Sequence, residues 1–243
     1  ITLIFFTNAN DPFNAPKSWV LSISGFWLLG WIIFQIRYQM KIETQKWASY
    51  VAFSFFLALT IAFLATDNKY IGLFGEYQRK TGYLTYVALI LFFLAASYLI
   101  RLNNINYLLI ISFLVSFLLA IYGLLQHLKL DPIKWNNPYN PVIGTLGNPD
   151  FAGSLMGIFT ILNFGIFIHA HKKTLWRIAA LFNTLFLFLV IKYSQARQGI
   201  LVGILGIDLI IIIWVYQKNK IISYFLGATS LIVGFFSVAG MLK

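Results

Sequence analysis

Arginine and lysine recur where this otherwise apolar chain turns polar, and they set the chemistry to look for. Arg79 and Lys80 lie in the segment Gly72–Gly82, directly ahead of an apolar run. Arg197 lies in Lys192–Gly199, two residues after Gln195. Between them in sequence stands Asp131–Gly153, which holds four of the six prolines of the chain. The planar fork of guanidinium donors suits phosphate oxygens, so two or three such cations brought together would hold a diphosphate. The same cations suit a plainer role, with stems along apolar surface and heads among lipid phosphates, and spacing alone leaves both readings open.

Within the proline-rich segment, Gly147-Asn148-Pro149-Asp150 reads as a helix start, with Asn148 as N-cap, Pro149 in the first helical position and Asp150 in the first turn. Exposed amides at such an end assist anion binding, although Asp150 alone already answers their positive charge. Asp208 stands inside an apolar run, eleven residues after Arg197. On one continuous helix the two would share a face about 16 Å apart. An acid at that depth serves as a buried structural partner or as a proton or ion site. His169 and His171 sit beside Lys172 and Lys173, and His127 has no second histidine or carboxylate pair at ligand spacing, so no metal site results.

A set of membrane helices must position these residues. Of 243 residues 60% are hydrophobic and 10% charged, and the mean hydropathy is +0.80. That leaves too little polar surface to cover a soluble fold. Windows of about 20 apolar residues predict spans at 19–36, 47–65, 83–100, 105–125, 151–168, 175–191, 200–216 and 221–241, after a stub at 1–6. The expected architecture is an all-α polytopic bundle with eight complete spans and one partial one. Because the chain opens on Ile1 in what reads as the end of an apolar segment, residues 1–243 are expected to be the N-terminal part of a longer membrane domain. Cysteine is absent, which excludes a disulfide framework and a thiol nucleophile. The net charge of +11 points to topology and anionic lipid rather than nucleic acid. Trp19, Trp47, Tyr83, Trp135, Tyr193, Trp214 and Tyr216 fall at span ends, where amphipathic rings anchor at the interface.

Lysines and arginines tie when counted in alternate loops, so sidedness rests on loop length and acid content. Arg37, Lys41, Lys46, Arg101, Lys172, Lys173, Arg177, Lys218 and Lys220 occupy short connections with one acid, Glu43. That set is expected in the cytoplasm, which turns the loops of Arg79, Asp131–Gly153 and Arg197 to the opposite, extracytoplasmic face.

Four stretches together resemble the O-antigen ligase and polymerase superfamily. Gly144-Thr145-Leu146-Gly147-Asn148-Pro149-Asp150-Phe151 is similar to the "GTLGNPN-aromatic" signature at the entry of a span, and Ser194-Gln195-Ala196-Arg197-Gln198-Gly199 to a "T-x-S-R-G-x" element at a span junction. Gly75-Glu76-Tyr77-Gln78-Arg79-Lys80-Thr81-Gly82 resembles an earlier "G-x-Y-x-R-x-x-G" loop. Asp11-Pro12-Phe13-Asn14-Ala15-Pro16-Lys17 resembles an N-terminal "D-P-F-N-x-P-K" stretch. The resemblance implies a glycosyltransferase of the bacterial inner membrane that needs no metal or other cofactor. It would move a glycan from an undecaprenyl-diphosphate carrier to a hydroxyl of a lipid, glycan or protein acceptor at the extracytoplasmic face. It also implies that Arg197, Arg79 and Lys80 hold the diphosphate, with Gly147, Asn148, Pro149, Asp150 and Gln195 shaping the site, and that a histidine after residue 243 is the base. The alternative class is a transporter or flippase for an anionic lipid or metabolite, which would show an inverted repeat of spans; the hydropathy pattern holds none. A non-catalytic membrane scaffold would leave the three basic outward loops without a reason.

Overall fold

The computed structural model describes residues 1–38, 46–77, 79–99, 105–135, 142–169 and 174–241, with backbone alone at Leu99, Val233 and 235–241. Lys41, Glu43, Gln78, Arg101, residues 136–141, His171, Lys172, Lys173 and Lys243 lie outside the described residues. Among the described residues all regular structure is helical: α1 (Asn14–Arg37), α2 (Lys46–Ala65), α3 (Lys69–Phe74), α4 (Tyr83–Leu99), α5 (Ile105–His127), a 3-10 turn (Gly144–Leu146), α6 (Pro149–His169), α7 (Thr174–Ser194), α8 (Arg197–Tyr216) and α9 (Lys220–Met241).

Six of these, α1, α2, α5, α6, α7 and α8, are long and apolar enough to cross a membrane. The chain is a membrane protein. The two remaining expected spans fall on α4 and α9, whose apolar stretches among the described residues are Tyr83–Tyr98 and Lys220–Ile232. The stub at 1–6, expected as the end of a further span, is not helical; Phe6 N donates to Pro12 O at 3.0 Å, folding it back on the start of α1.

The chain divides into two compact units, Ile1–Leu108 and Leu109–Lys243. In the first, α1, α2 and α3 pack on α4. Asp11 starts α1: its carboxylate accepts from the amides of Phe13 (3.1 Å), Asn14 (2.9 Å) and Ala15 (3.1 Å). Gly25 permits close approach of α1 to α4, since a Cβ there would lie 3.0 Å from Ala88 Cα. Two hydroxyl pairs join α2 to α4, Ser49 with Tyr98 at 2.9 Å and Thr60 with Tyr83 at 3.0 Å. The Tyr83 ring also stacks on Phe63 at 5.0 Å, so it is a packing residue between helices rather than a lipid-facing anchor.

In the second unit, α6 packs on both α7 and α8. A Cβ on Gly153 would collide with Ala196, one on Gly157 would lie 2.6 Å from the Gly199 carbonyl oxygen, one on Gly206 would collide with Ile161, and Gly165 faces Ile210. These contacts climb together along both chains, so α6 and α8 run parallel and begin at the same end. The stripe Gly153, Gly157, Ile161, Gly165 recurs every four residues, and its small members bring the two backbones together. Halfway along, three helices are tied by buried amides: Asn163 Nδ2 (3.1 Å) and Asn183 Nδ2 (2.9 Å) both donate to Ser116 Oγ of α5, and Asn183 Nδ2 also donates to Asn163 Oδ1 at 3.1 Å. Such bonds contribute because lipid offers no alternative partner.

Candidate functional site

The end of the second unit where α6 and α8 begin gathers most of the residues singled out above. Gly144 (φ +58) and Gly147 (φ +72) are left-handed and bracket the 3-10 turn, which accounts for their three-residue spacing. Asn148 then caps α6, its Oδ1 accepting from Asp150 N at 2.8 Å, with Pro149 first in the helix and Asp150 exposed in the first turn. The helix start read from the sequence is therefore present.

Gln126 and Asp131 hold this loop down, and both roles escape a reading by motif. Gln126 is buried at the end of α5; its Oε1 accepts from Ile143 N (3.1 Å) and Gly144 N (2.8 Å), and its Nε2 donates to Asp131 Oδ2 at 3.2 Å. The same carboxylate accepts from Tyr122 OH at 2.9 Å, Trp135 Nε1 at 3.0 Å and Ile133 N at 2.9 Å. Trp135, expected as an interface anchor, is instead part of this network. One signal was present: Ser116, Ala120, Gly123 and Gln126 place small or polar residues every three to four positions along an otherwise apolar helix.

The turn from α7 to α8 lies against this loop's helix. Ser194 Oγ accepts from Ala196 N at 3.4 Å, and Gln195 takes a left-handed φ of +59, a strained conformation for a residue with a side chain. Ala196 meets Gly153 of α6. Arg197 follows as the first residue of α8 and is exposed, as are Gln195, Gln198 and Lys192. No side chain caps α8 and its first turn holds no acid. An arginine there sets a cation on the positive end of a helix, the reverse of the stabilising arrangement. Beside it begins α6, whose own amino end carries Asp150 in its first turn, so the uncompensated positive end is that of α8, with Arg197 on it.

Arg79 and Lys80 belong to the first unit. Their loop is a closed ring, because Gly75 and Gly82 bring their backbones into contact where no Cβ would fit. The amides of Arg79 (3.1 Å) and Lys80 (2.8 Å) donate to Glu76 O. Arg79 is exposed, whereas Lys80, at φ +52, holds its Nζ 4.6 Å from the Tyr77 ring centre. Asp208 sits half-buried on α8 without a hydrogen-bond or ion-pair partner among the described residues. By helical arithmetic it shares with Arg197 the face roughly 160–180° from Gly199. No group of histidine, cysteine and acidic side chains that could hold a metal occurs among the described residues.

No family model, curated protein or solved structure matches this chain.

Proposed function

We propose that this chain is part of a membrane glycosyltransferase, a ligase or polymerase that moves a glycan from an undecaprenyl-diphosphate carrier to an acceptor hydroxyl outside the bacterial inner membrane. In this reading it serves the cell envelope, building surface polysaccharide such as that of lipopolysaccharide. One observation carries the proposal: exposed Arg197 opens α8, whose amino end has no side-chain cap from its N-cap residue and no acid in its first turn, while Asp150 answers the amino end of neighbouring α6. A cation on such an end is unfavourable for the helix, and a bound anion would relieve it. Departure of a lipid diphosphate concentrates negative charge on the leaving oxygen, and fixed cations in a site of low dielectric stabilise it. Asp150, Gln195 and the Gly147–Pro149 turn give the site its shape.

Replacing Arg197 with Ala in the full-length protein is expected to lower glycan transfer in membrane vesicles by about a hundredfold or more, the scale of one lost charge-stabilising donor. The amount of protein in the membrane stays unchanged. Transfer at the level of the unaltered protein would remove Arg197 from the reaction.

A further inference from the structure

Two aromatic side chains at the same end of the second unit have polar groups without a hydrogen-bond partner among the described residues. The rings of His127, last residue of α5, and Tyr193, near the end of α7, stack with centroids 3.6 Å apart and planes 5° from parallel. Both are half-buried, and neither the imidazole nitrogens nor the phenol hydroxyl have a hydrogen-bond partner among the described residues. Nearby polar groups do not share this: Gln126, Asp131, Tyr122 and Trp135 all bond to one another.

The chain itself fixes how near this pair is to Arg197. Arg197 follows Tyr193 by four positions, so their Cα atoms lie at most about 14 Å apart. The turn through left-handed Gln195 can only shorten that. The first sugar of a glycan carried on a diphosphate is bonded directly to the distal phosphate. A cation that grips the diphosphate and a side chain whose backbone lies within that radius can reach adjacent parts of one ligand.

We propose that the His127–Tyr193 stack is the contact surface for the first sugar of the donor. The proposal rests on the diphosphate reading of Arg197. Sugar hydroxyls both donate and accept, which an imidazole and a phenol answer in kind, and the C–H face of a pyranose lies well against an aromatic edge or plane. The mutual stack keeps both rings in place before the ligand arrives, so little side-chain freedom is lost on binding.

The test measures binding of two lipids to the purified protein in detergent: undecaprenyl diphosphate, and the same carrier bearing one N-acetylhexosamine. The unaltered protein is expected to prefer the sugar-bearing lipid by about fivefold to tenfold, the scale of one or two neutral hydrogen bonds. In the double variant His127→Leu, Tyr193→Leu the ratio falls to about one. His127→Phe keeps the stack, drops the ring nitrogens and gives an intermediate ratio, which guards against a general folding defect. A ratio that persists in the double variant, or a ratio of one in an unaltered protein that binds both lipids tightly, overturns the sugar contact and leaves the diphosphate reading standing. An unaltered protein that binds neither lipid overturns both.

Discussion

Replacing Gln126 by Leu keeps the volume of a buried side chain and removes every polar contact it makes. The amides of Ile143 and Gly144 then lose their acceptor, and Asp131 loses one of its donors. Each buried amide left unpaired costs about 1–3 kcal/mol, so thermal unfolding in detergent should show a loss of about 2–5 kcal/mol. A change within about 0.5 kcal/mol, the size of an ordinary surface substitution, would mean that Gln126 does not hold the loop. At this scale the sequence was legible where a residue type answers to local geometry: Gly144, Gly147, Asn148 and Pro149 behave as their types dictate. Gln126, Asn163 and Asn183 were not legible, because a single polar residue in an apolar run does not name its partner: Ile143 lies 17 residues from Gln126, and Ser116 lies 47 and 67 residues from Asn163 and Asn183.

Between elements, the site depends on how closely α6 and α8 approach. A Cβ on Gly199 collides with the Gly153 carbonyl oxygen, which is backbone and cannot rotate away. Gly199→Ala should therefore cost about 1–3 kcal/mol, as overpacking does. Gly227 in α9 has nothing within 4 Å of the position a Cβ would take. There Ala should be neutral or gain up to about 1 kcal/mol from helix propensity. Thermal unfolding of both variants decides the matter, and equal effects would contradict the parallel glycine contact. Apolar windows located the helices well, since hydropathy is a sum over many residues. The parallel pairing of α6 with α8 was hidden, because a glycine in an apolar helix reads equally as lipid-facing. Tyr83, Trp135 and Tyr193 were assigned to the membrane interface by the same averaging and turned out to bond or stack inside their units.

At the scale of the whole molecule, six apolar helices long enough to span define a membrane protein, while sidedness is a proposal carried by loop length and acid content. The absence of cysteine makes that argument testable with single introduced thiols. In whole cells with a permeabilised outer layer, an impermeant maleimide should label Lys134→Cys and Gln195→Cys, and should label Gln217→Cys only after the inner membrane is broken. The reverse pattern would place Arg197 in the cytoplasm and end the case for an extracytoplasmic reaction.

The central claim is that Arg197 binds a lipid diphosphate. The most direct measurement is the affinity of purified protein for undecaprenyl diphosphate against the monophosphate, for the unaltered chain and for Arg197→Ala. The account predicts tight binding selective for the diphosphate that weakens by about tenfold in the variant, about 1.4 kcal/mol for the lost charge contact. Equal, weak binding of both lipids by both proteins would contradict it, and would mean that Arg197 meets only bulk headgroups.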